Sequence, residues 1–531
     1  MTKLSRENLV RDIRQLNDIL EDAHPDPYIN GGGKIVYHRR LQELIQQLPV
    51  EGLTREELFF HINPFIAKLE DAHTRLMVDK ELQDKENPGG IPLYFIPIEE
   101  ILVVSAVVQK EDLQLIGAKL VAVEGISFTA LIDRMKNLRG FDNLSNLLGN
   151  LGRFGMLYYQ NSLRKLIPEW SNNSSITVTL ALPDGSEKKL QLKPIEGIEY
   201  PLLTNTNATN LPNSDKSLTY NFLGTTKKIA YLKIDDMITF REAHELFLEI
   251  GLTEFHELLR KTYKKYNEDE LPEELPDLIK GLPAATEIFT SLFRDMKKSS
   301  TEYLIVDVSN CRGGQDYIIL FLLYFIIGFE KAVELIQGRS DVLKLSKTLA
   351  NSLKDGLNLE NIDYYKQVPL IIGDYYFGND KTFSLCKDKT DQIEGYSKSM
   401  KQMPSFYKEF SKREFESYYT PKKIIVLSSD VTHSSGFDLM LNLKHIGAVT
   451  VGVPSGQSSN CFGNIRQFEL QHSKIKGQVA TRFFIAFPDQ PMTHLTLKPD
   501  FELTYDLSLK YNFNKQSTLL YTLDLIKEKR I

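Results

Sequence analysis

The chain has 531 residues, of which 42% are hydrophobic and 25% are charged, a balance typical of a globular protein with a large core. Its formal net charge of −6 comes without a basic stripe, and this excludes nucleic-acid binding that relies on a positive surface. The cysteines, Cys311, Cys386 and Cys461, are odd in number and widely spaced, so they predict neither a disulfide framework nor a metal site.

The N-terminal residues contain no apolar signal core and are typical of a helix that begins after Ser5 as its N-cap. The longest apolar run, residues 317–329, is too short for a membrane span and predicts a buried helix. We therefore expect no transmembrane segment and no signal peptide. The protein would be cytoplasmic by default, and exported if a leader has been removed.

The first part of the chain predicts helices, because apolar residues recur there at helical spacing. A third helix over 54–69 ends in the motif Asp71-Ala72-His73-Thr74. A histidine just past a helix end is either a solvated or capping residue or a catalytic group, and the local pattern leaves both open.

A β-rich unit follows, with short apolar runs and a hairpin whose turn is Pro183-Asp184-Gly185. Residues 117–125 form a glycine-bracketed strand of the kind found in PDZ domains, although a bare strand and turn would give the same pattern. The polar, Asn-rich and Thr-rich residues after it predict a linker.

From residue 228 onwards, strands alternate with helices, which predicts an α/β unit with a largely parallel sheet. Such sheets bind ligands in the loops beyond the carboxyl ends of their strands. An aromatic-rich segment interrupts this unit, and it predicts either a lid or a peripheral helical insertion. The predicted organisation is a helical region over 1–85, a β-rich domain over 90–200, a linker over 201–220, and a core over 221–531 with a helical insertion at about 345–420.

Ser434 lies in a turn between a buried strand, 424–427, and a helix that begins near Phe437. Free backbone N–H groups and the helix dipole at such a turn favour developing negative charge, which suits a nucleophilic serine. The alternative is a simple helix N-cap, since serine is a preferred residue at that position.

Several motifs in this order resemble the tail-specific, or C-terminal processing, serine peptidases and their tricorn-core relatives. The matching segments are 71–75, 306–314, 432–436, 452–456 and 498–500. The resemblance implies a multidomain α/β fold with an N-terminal helical region that carries His73, a PDZ-like β-rich domain and a crotonase-like protease core.

The resemblance also implies roles for individual residues. One branch of the family uses a lysine as the base, but residues 456–463 contain none. The chain therefore resembles the branch in which a histidine is the base, and His73 occupies that position. Ser434 is the implied nucleophile, with Ser435 as a rival.

The implied oxyanion hole consists of backbone N–H groups of Gly313, Gly314 and Ser435, and the family implies neither a metal nor a cofactor. Tricorn-like relatives carry a glutamate shortly before the Pro-Asp pair, but residues 491–497 contain no carboxylate. Asp489 is the nearest acid and the candidate to replace that glutamate as the acid that orients the base. His433 and His494 are extra histidines that we expect to be packing or surface residues.

The predicted function is that of a serine endopeptidase acting on peptides or unfolded protein tails. The alternative is a catalytically inactive family member that binds peptides or small apolar ligands, and a third reading is a PDZ-style scaffold. The expected partners are therefore peptide or protein substrates rather than nucleic acid, and a homo-oligomer stays open.

Overall fold

The computed structural model describes residues 2–531 apart from a set of excluded segments. Those segments are 78–89, 154, 171–174, 195–201, 206–215, 253–254, 338–339, 353–369, 379–388, 413–417 and 487–493.

The N-terminal region consists of helices packed against the end of a β-hairpin from the far end of the chain. The elements are α1 (Arg6–Ala23), α2 (Gly33–Gln46), α3 (Arg55–Ala67) and β1 (Arg75–Leu76). Ser5 accepts a hydrogen bond from the Asn8 N–H, so the predicted N-cap is confirmed. The apolar faces of these helices pack against Leu470, Ile475 and Val479. The His73 motif is therefore held between its own helices and a distant hairpin.

The β-rich unit is an antiparallel sheet with helices on it. Its elements are β2 (Leu93–Ile98), β3 (Ile101–Val107), β4 (Lys119–Val123), β5 (Ile126–Ser127), α4 (Phe128–Met135), α5 (Leu144–Gly152), α6 (Gln160–Leu166), β6 (Ile176–Ala181) and β7 (Glu187–Leu192), with a 3₁₀ turn at Lys110–Leu115. The strand order is β2-β3-β4-β6-β7, and β5 pairs with β4. Tyr505 and Phe513 from the end of the chain join its core. The PDZ-like label stays a prediction.

The remaining strands form the core. They are β8 (Leu218–Leu223), β9 (Ile229–Ile234), β10 (Tyr303–Asp307), β11 (Ser340–Lys344), β12 (Tyr375–Gly378), β13 (Lys423–Ser428), β14 (Val449–Gly452), β15 (Asn460–Glu469), β16 (Lys476–Ile485) and β17 (Phe501–Glu502). One sheet has the order β17-β14-β13-β10-β9-β8, and only its β8–β9 pair is antiparallel. The carboxyl ends of its parallel strands therefore meet at one edge.

Helices cover both faces of this sheet, so the chain is a multidomain mixed α/β protein, and the crotonase-like label stays a prediction. The helices are α7 (Arg241–Glu249), α8 (His256–Tyr266), α9 (Leu275–Lys280), α10 (Ala285–Ser299), α11 (Tyr317–Ile327), α12 (Phe329–Gln337), α13 (Lys347–Ser352), α14 (Lys389–Met400), α15 (Pro404–Phe410), α16 (Ser435–His445), α17 (Tyr505–Lys510) and α18 (Ser517–Lys527). Apolar helix α11 is buried, as predicted.

Among the described residues, no helix has both the length and the apolar character that a membrane crossing needs.

A second core sheet links the N-terminal region to the protease core. Strand β16 pairs with β1, β11 and β15, and β11 also pairs with β12. Strand β1 begins two residues after His73, and Arg75 lies opposite Gln478 in the register. This pairing carries the His73 motif towards the core.

The structure adds regular elements inside two of the predicted segments, whose boundaries stay predictions. Within the insertion at about 345–420, Tyr375–Gly378 forms strand β12, where aromatic residues favour extended structure. At the ends of the linker at 201–220, Leu203 pairs with Val107 of the β-rich unit and β8 begins at Leu218. Residues 206–215 lie outside the described part of the chain.

Candidate active site

The loops after β10, β13 and β14 meet at the carboxyl edge of the parallel sheet. The Thr432 hydroxyl donates to the Val308 carbonyl (2.9 Å), and the His433 N–H donates to the Cys311 carbonyl (3.0 Å). The Gly456 N–H donates to the Thr432 carbonyl (3.1 Å). These bonds join the loop of residues 308–314, called the glycine loop below, to the turn that carries Ser434.

Ser434 adopts an unusual backbone conformation at the start of α16. Its φ is 52° and its ψ is −133°, and a positive φ is uncommon for a residue other than glycine. Ser434 occupies the N-cap position of α16, as the alternative predicted, but its side chain makes no capping hydrogen bond. Its N–H donates instead to Gln457 Oε1 (2.6 Å). Strained backbone that is held by its surroundings is common at functional sites, and a nucleophilic serine at a sharp strand-to-helix turn is a known arrangement.

Ser435, the rival nucleophile, has its hydroxyl engaged in the glycine loop. Its Oγ lies 3.0 Å from the Gly314 carbonyl and also hydrogen-bonds the Asp316 carboxylate. The residue is buried. Its side chain therefore ties the first turn of α16 to the glycine loop.

Gly313 and Gly314 occupy positions that other residues would not fit. Their φ values are 96° and 143°, a range that favours glycine. A Cβ atom on Gly313 would lie 2.5 Å from Ser434 Cβ and 2.9 Å from the Ser435 nitrogen, and one on Gly314 would lie 2.6 Å from the Met237 carbonyl carbon. The glycine loop thus contacts the Ser434 turn directly.

Hydrogen bonds from β16 hold the His73 carbonyl and the side chain of the next residue, Thr74. Gln478 Nε2 donates to the His73 carbonyl (2.8 Å), and the Ala480 N–H donates to Thr74 Oγ1 (3.0 Å). The His73 ring lies 4.8 Å from the ring of His433, measured between centroids. His73 is thereby placed next to the residue that precedes Ser434.

The electrostatic surroundings keep the His73 imidazole neutral. Burial lowers the pKa of His73 below its usual 6.5, and the neighbouring His433 lowers this pKa further, against the opposing effects of Asp142 and Asp71. A neutral imidazole can accept a proton, as a general base must.

Asp71, two residues before His73, is a buried carboxylate between two histidines. One oxygen lies 3.8 Å from His73 Nδ1 and the other 3.4 Å from His24 Nε2. His24 Nδ1 accepts the Asp26 N–H (3.2 Å), so the His24 proton is on Nε2 and faces Asp71. Burial alone would raise the pKa of Asp71, but His24 and His73 lower it. The carboxylate is therefore ionised.

Asp142 comes from the loop before α5 and was not singled out in the sequence. Its Oδ2 accepts a hydrogen bond from His433 Nε2 (3.0 Å), and its Oδ1 accepts the Ala72 N–H (2.9 Å). Its backbone carbonyl lies 2.5 Å from His494 Nδ1. No local pattern points to Asp142, because all three partners are distant in sequence.

Both extra histidines, His433 and His494, take part in this polar network. His494 Nε2 also hydrogen-bonds Glu70 Oε2 (2.9 Å). Burial alone would lower the pKa of His494, but the bonds to Glu70 and to the Asp142 carbonyl raise it above 6.5. Asp489, the predicted nearest acid, lies outside the described residues.

Three arginines next to these segments add positive charge. They are Arg75 beside the His73 motif, Arg312 in the glycine loop, and Arg139, which comes three residues before Asp142. Burial and the repulsion of Arg75 and Arg312 lower the pKa of Arg139 to about 10. The surroundings of the site are thus not purely acidic.

Comparisons with known proteins bear on the family and the fold. Residues 228–474 match the model of peptidase family S41. Among solved structures, mature CPAF in complex with lactacystin has 14% identity and a TM-score of 0.56, with 98% of this chain and 99% of that chain covered. A second structure of mature CPAF has 14% identity and a TM-score of 0.57, with 98% of both chains covered. No curated protein sequence matches this chain.

At such low identity, the likeness to CPAF indicates a shared fold along nearly the whole chain. The match of residues 228–474 spans the strands that carry both the glycine loop and the Ser434 turn. The family predicted from the sequence motifs is thereby confirmed. Residues 228–474 form a peptidase family S41 domain, and this match supports the assignment as a serine peptidase of the tail-specific family.

Proposed function

We propose that this peptidase is an endopeptidase that cleaves peptides or unfolded protein tails with Ser434 as nucleophile and His73 as general base. The observation that carries the proposal is the Ser434 turn, where a serine at positive φ makes no capping hydrogen bond and its Cβ packs closely against Gly313. A serine hydroxyl is a weak nucleophile at neutral pH and needs an adjacent base. His73 is the neutral imidazole of the site, and it lies beside His433.

In the proposed mechanism, His73 accepts the Ser434 proton as Oγ attacks the peptide carbonyl, and later gives that proton to the leaving amine. Asp71, rather than Asp489, orients His73, since its ionised oxygen lies 3.8 Å from His73 Nδ1. A carboxylate on this side stabilises the imidazolium that forms during the attack.

In this proposal, the oxyanion of the tetrahedral intermediate accepts hydrogen bonds from the backbone N–H groups of Gly313, Gly314 and Ser435. The Ser434 N–H is excluded as a donor because Gln457 already accepts its hydrogen bond. Removing one donor from such a site costs about 3–4 kcal/mol of transition-state stabilisation. The bonds made by the Ser435 hydroxyl favour a positioning role for that residue.

A fluorophosphonate probe, which labels activated serines, tests the assignment together with cleavage of an unfolded protein substrate. We expect labelling and cleavage in the wild type, and loss of both in Ser434→Ala and His73→Ala. Ser435→Ala is the matched control, and it should retain the label. Circular dichroism melting checks that each variant folds.

Labelling that survives Ser434→Ala would contradict the choice of nucleophile. A folded wild type that is neither labelled nor active would favour the alternative, an inactive member that binds peptides or small apolar ligands. Lactacystin is a useful second probe, because CPAF has been solved in complex with it.

A further inference from the structure

Three side chains of the kind that bind transition metals lie together beside Ser434. One ligand atom from each of His73, Asp142 and His433 lies within 4.8 Å of the other two. We propose that these side chains form a Zn²⁺ site whose occupation reversibly inhibits the peptidase. The inhibitory part rests on the proposed role of His73, whereas the metal site itself does not.

The spacing is close to what zinc needs. Zinc binds nitrogen and oxygen ligands at about 2.0–2.2 Å in a tetrahedral arrangement, so its ligand atoms lie about 3.4 Å apart. His433 Nε2 and Asp142 Oδ2 are already 3.0 Å apart. The ligand atom of His73 needs to move by about 1–1.5 Å, a distance that a small side-chain rotation covers. A fourth position would remain for water.

The Asp142 carboxylate is oriented for this role by a contact from the His73 motif itself. Its Oδ1 accepts the Ala72 N–H (2.9 Å), which leaves Oδ2 directed at His433. Hydrogen bonds of this kind orient metal ligands and raise their affinity for the metal. Asp142 is only 4% exposed, so a bound cation would be poorly screened from it by solvent.

Besides the spacing of the three side chains, the buried ring of His73 is a second reason to expect a metal ion at this site. In the described part of the chain, its buried Nδ1 has no hydrogen-bond partner. Two carboxylates lie close by, Asp71 at 3.8 Å from His73 Nδ1 and Asp142 at 3.0 Å from His433 Nε2. A structural pair of His433 and Asp142 alone would not require a second imidazole, whose ring centroid lies 4.8 Å from that of His433.

The ligand set selects the metal. Two imidazoles and one carboxylate suit zinc, whereas calcium and magnesium prefer oxygen ligands throughout. Zinc bound to His433 Nε2 takes the place of the hydrogen that this nitrogen directs at Asp142. Once His73 is bound to zinc, it can no longer take the Ser434 proton, and the peptidase is switched off without any change at the nucleophile.

Calorimetric titration of the chelator-treated full chain with zinc sulfate tests the site. We expect one zinc per chain, and at least tenfold weaker binding in His433→Asn and Asp142→Asn. The control is His472→Asn, a partly exposed histidine in the β15–β16 turn, which should bind zinc like the wild type. Titration with Co²⁺ should give the visible absorption of a tetrahedral site in the wild type and lose it in His433→Asn.

No zinc binding by the wild type, or equal binding by His433→Asn, would overturn the site. For the inhibitory role, we expect zinc to inhibit cleavage by the wild type, with at least a tenfold higher inhibitory concentration for His433→Asn. Stoichiometric binding without inhibition would overturn that role alone. If the wild type cleaves nothing, the proposed function fails, while calorimetry and the cobalt spectrum still decide the metal site.

Discussion

The two halves of the candidate active site are built by different means. The nucleophile half consists of neighbouring loops on one parallel sheet, and its geometry depends on the close approach of Gly313 to Ser434 and of Gly314 to Met237. The base half combines His24, Asp71 and Asp142 around His73 through buried side chains from two regions. We therefore expect the first half to be sensitive to added volume, and the second to changes in charge and hydrogen bonding.

The largest effect should follow from adding one methyl group to the nucleophile half. In Gly313→Ala, the new Cβ would lie 2.5 Å from Ser434 Cβ at a φ of 96°, so the Ser434 turn must move. We expect kcat/KM to fall by at least about 100-fold, as in the loss of an oxyanion donor. Gly185→Ala is the control, since Gly185 also has a positive φ, 86°, but no atom within 4 Å of an added Cβ. Equal activity of the two variants would contradict the predicted contact.

A change of charge should break the base half. Asp71→Asn removes the ionised carboxylate beside His73 and His24. We expect kcat to fall by about 10²–10⁴-fold with a smaller change in KM, because such a carboxylate acts on the imidazolium of the transition state. Kinetics at several pH values should also show a lower apparent pKa for the base. An unchanged pH profile would indicate a purely structural role for Asp71.

A smaller loss of activity is expected when the hydrogen bond that supports the Ser434 turn is removed. Gln457→Ala removes the acceptor of the Ser434 N–H, in a residue that is only 2% exposed. A buried donor left without a partner costs about 1–3 kcal/mol, and we expect kcat/KM to fall by about tenfold, measured by steady-state kinetics. Gln471→Ala, on the exposed turn between β15 and β16, should be neutral. An unchanged kcat/KM in Gln457→Ala would show that the Ser434 turn keeps its conformation without this hydrogen bond.

The smallest expected effect is a shift in pH dependence. His73 must be neutral to act, and its pKa is below 6.5, so activity should persist as the pH falls to 6.5 and be lost only below it. Because His433 lowers the pKa of His73, His433→Asn should move this acidic limb upwards, towards 6.5. The measurement is kcat/KM against pH without added metal. A wild-type limb above 6.5 would contradict the assignment of His73 as base.

Sequence patterns predicted correctly those features that depend on residues close together in the chain. The buried apolar helix after the glycine loop, the Ser5 cap and the alternating strands and helices all follow from spacing and composition over short windows. The strand Tyr375–Gly378 was missed because its pairing partner, β11, is more than thirty residues away. Short aromatic segments are decided by such partners rather than by their own propensity.

The sequence by itself predicted the family and a largely parallel core sheet, and the family resemblance pointed to the residues proposed as nucleophile, base and oxyanion donors, because these residues belong to short motifs at the ends of strands and helices. Only the tertiary structure decided which groups surround them. Asp142, His433 and His494 form one network because the β-rich unit, the nucleophile turn and the C-terminal segment converge there. Hydrogen bonds between groups hundreds of residues apart leave no periodic signal in a single sequence. The partners of these histidines, such as Asp142, can therefore be identified only in the folded chain.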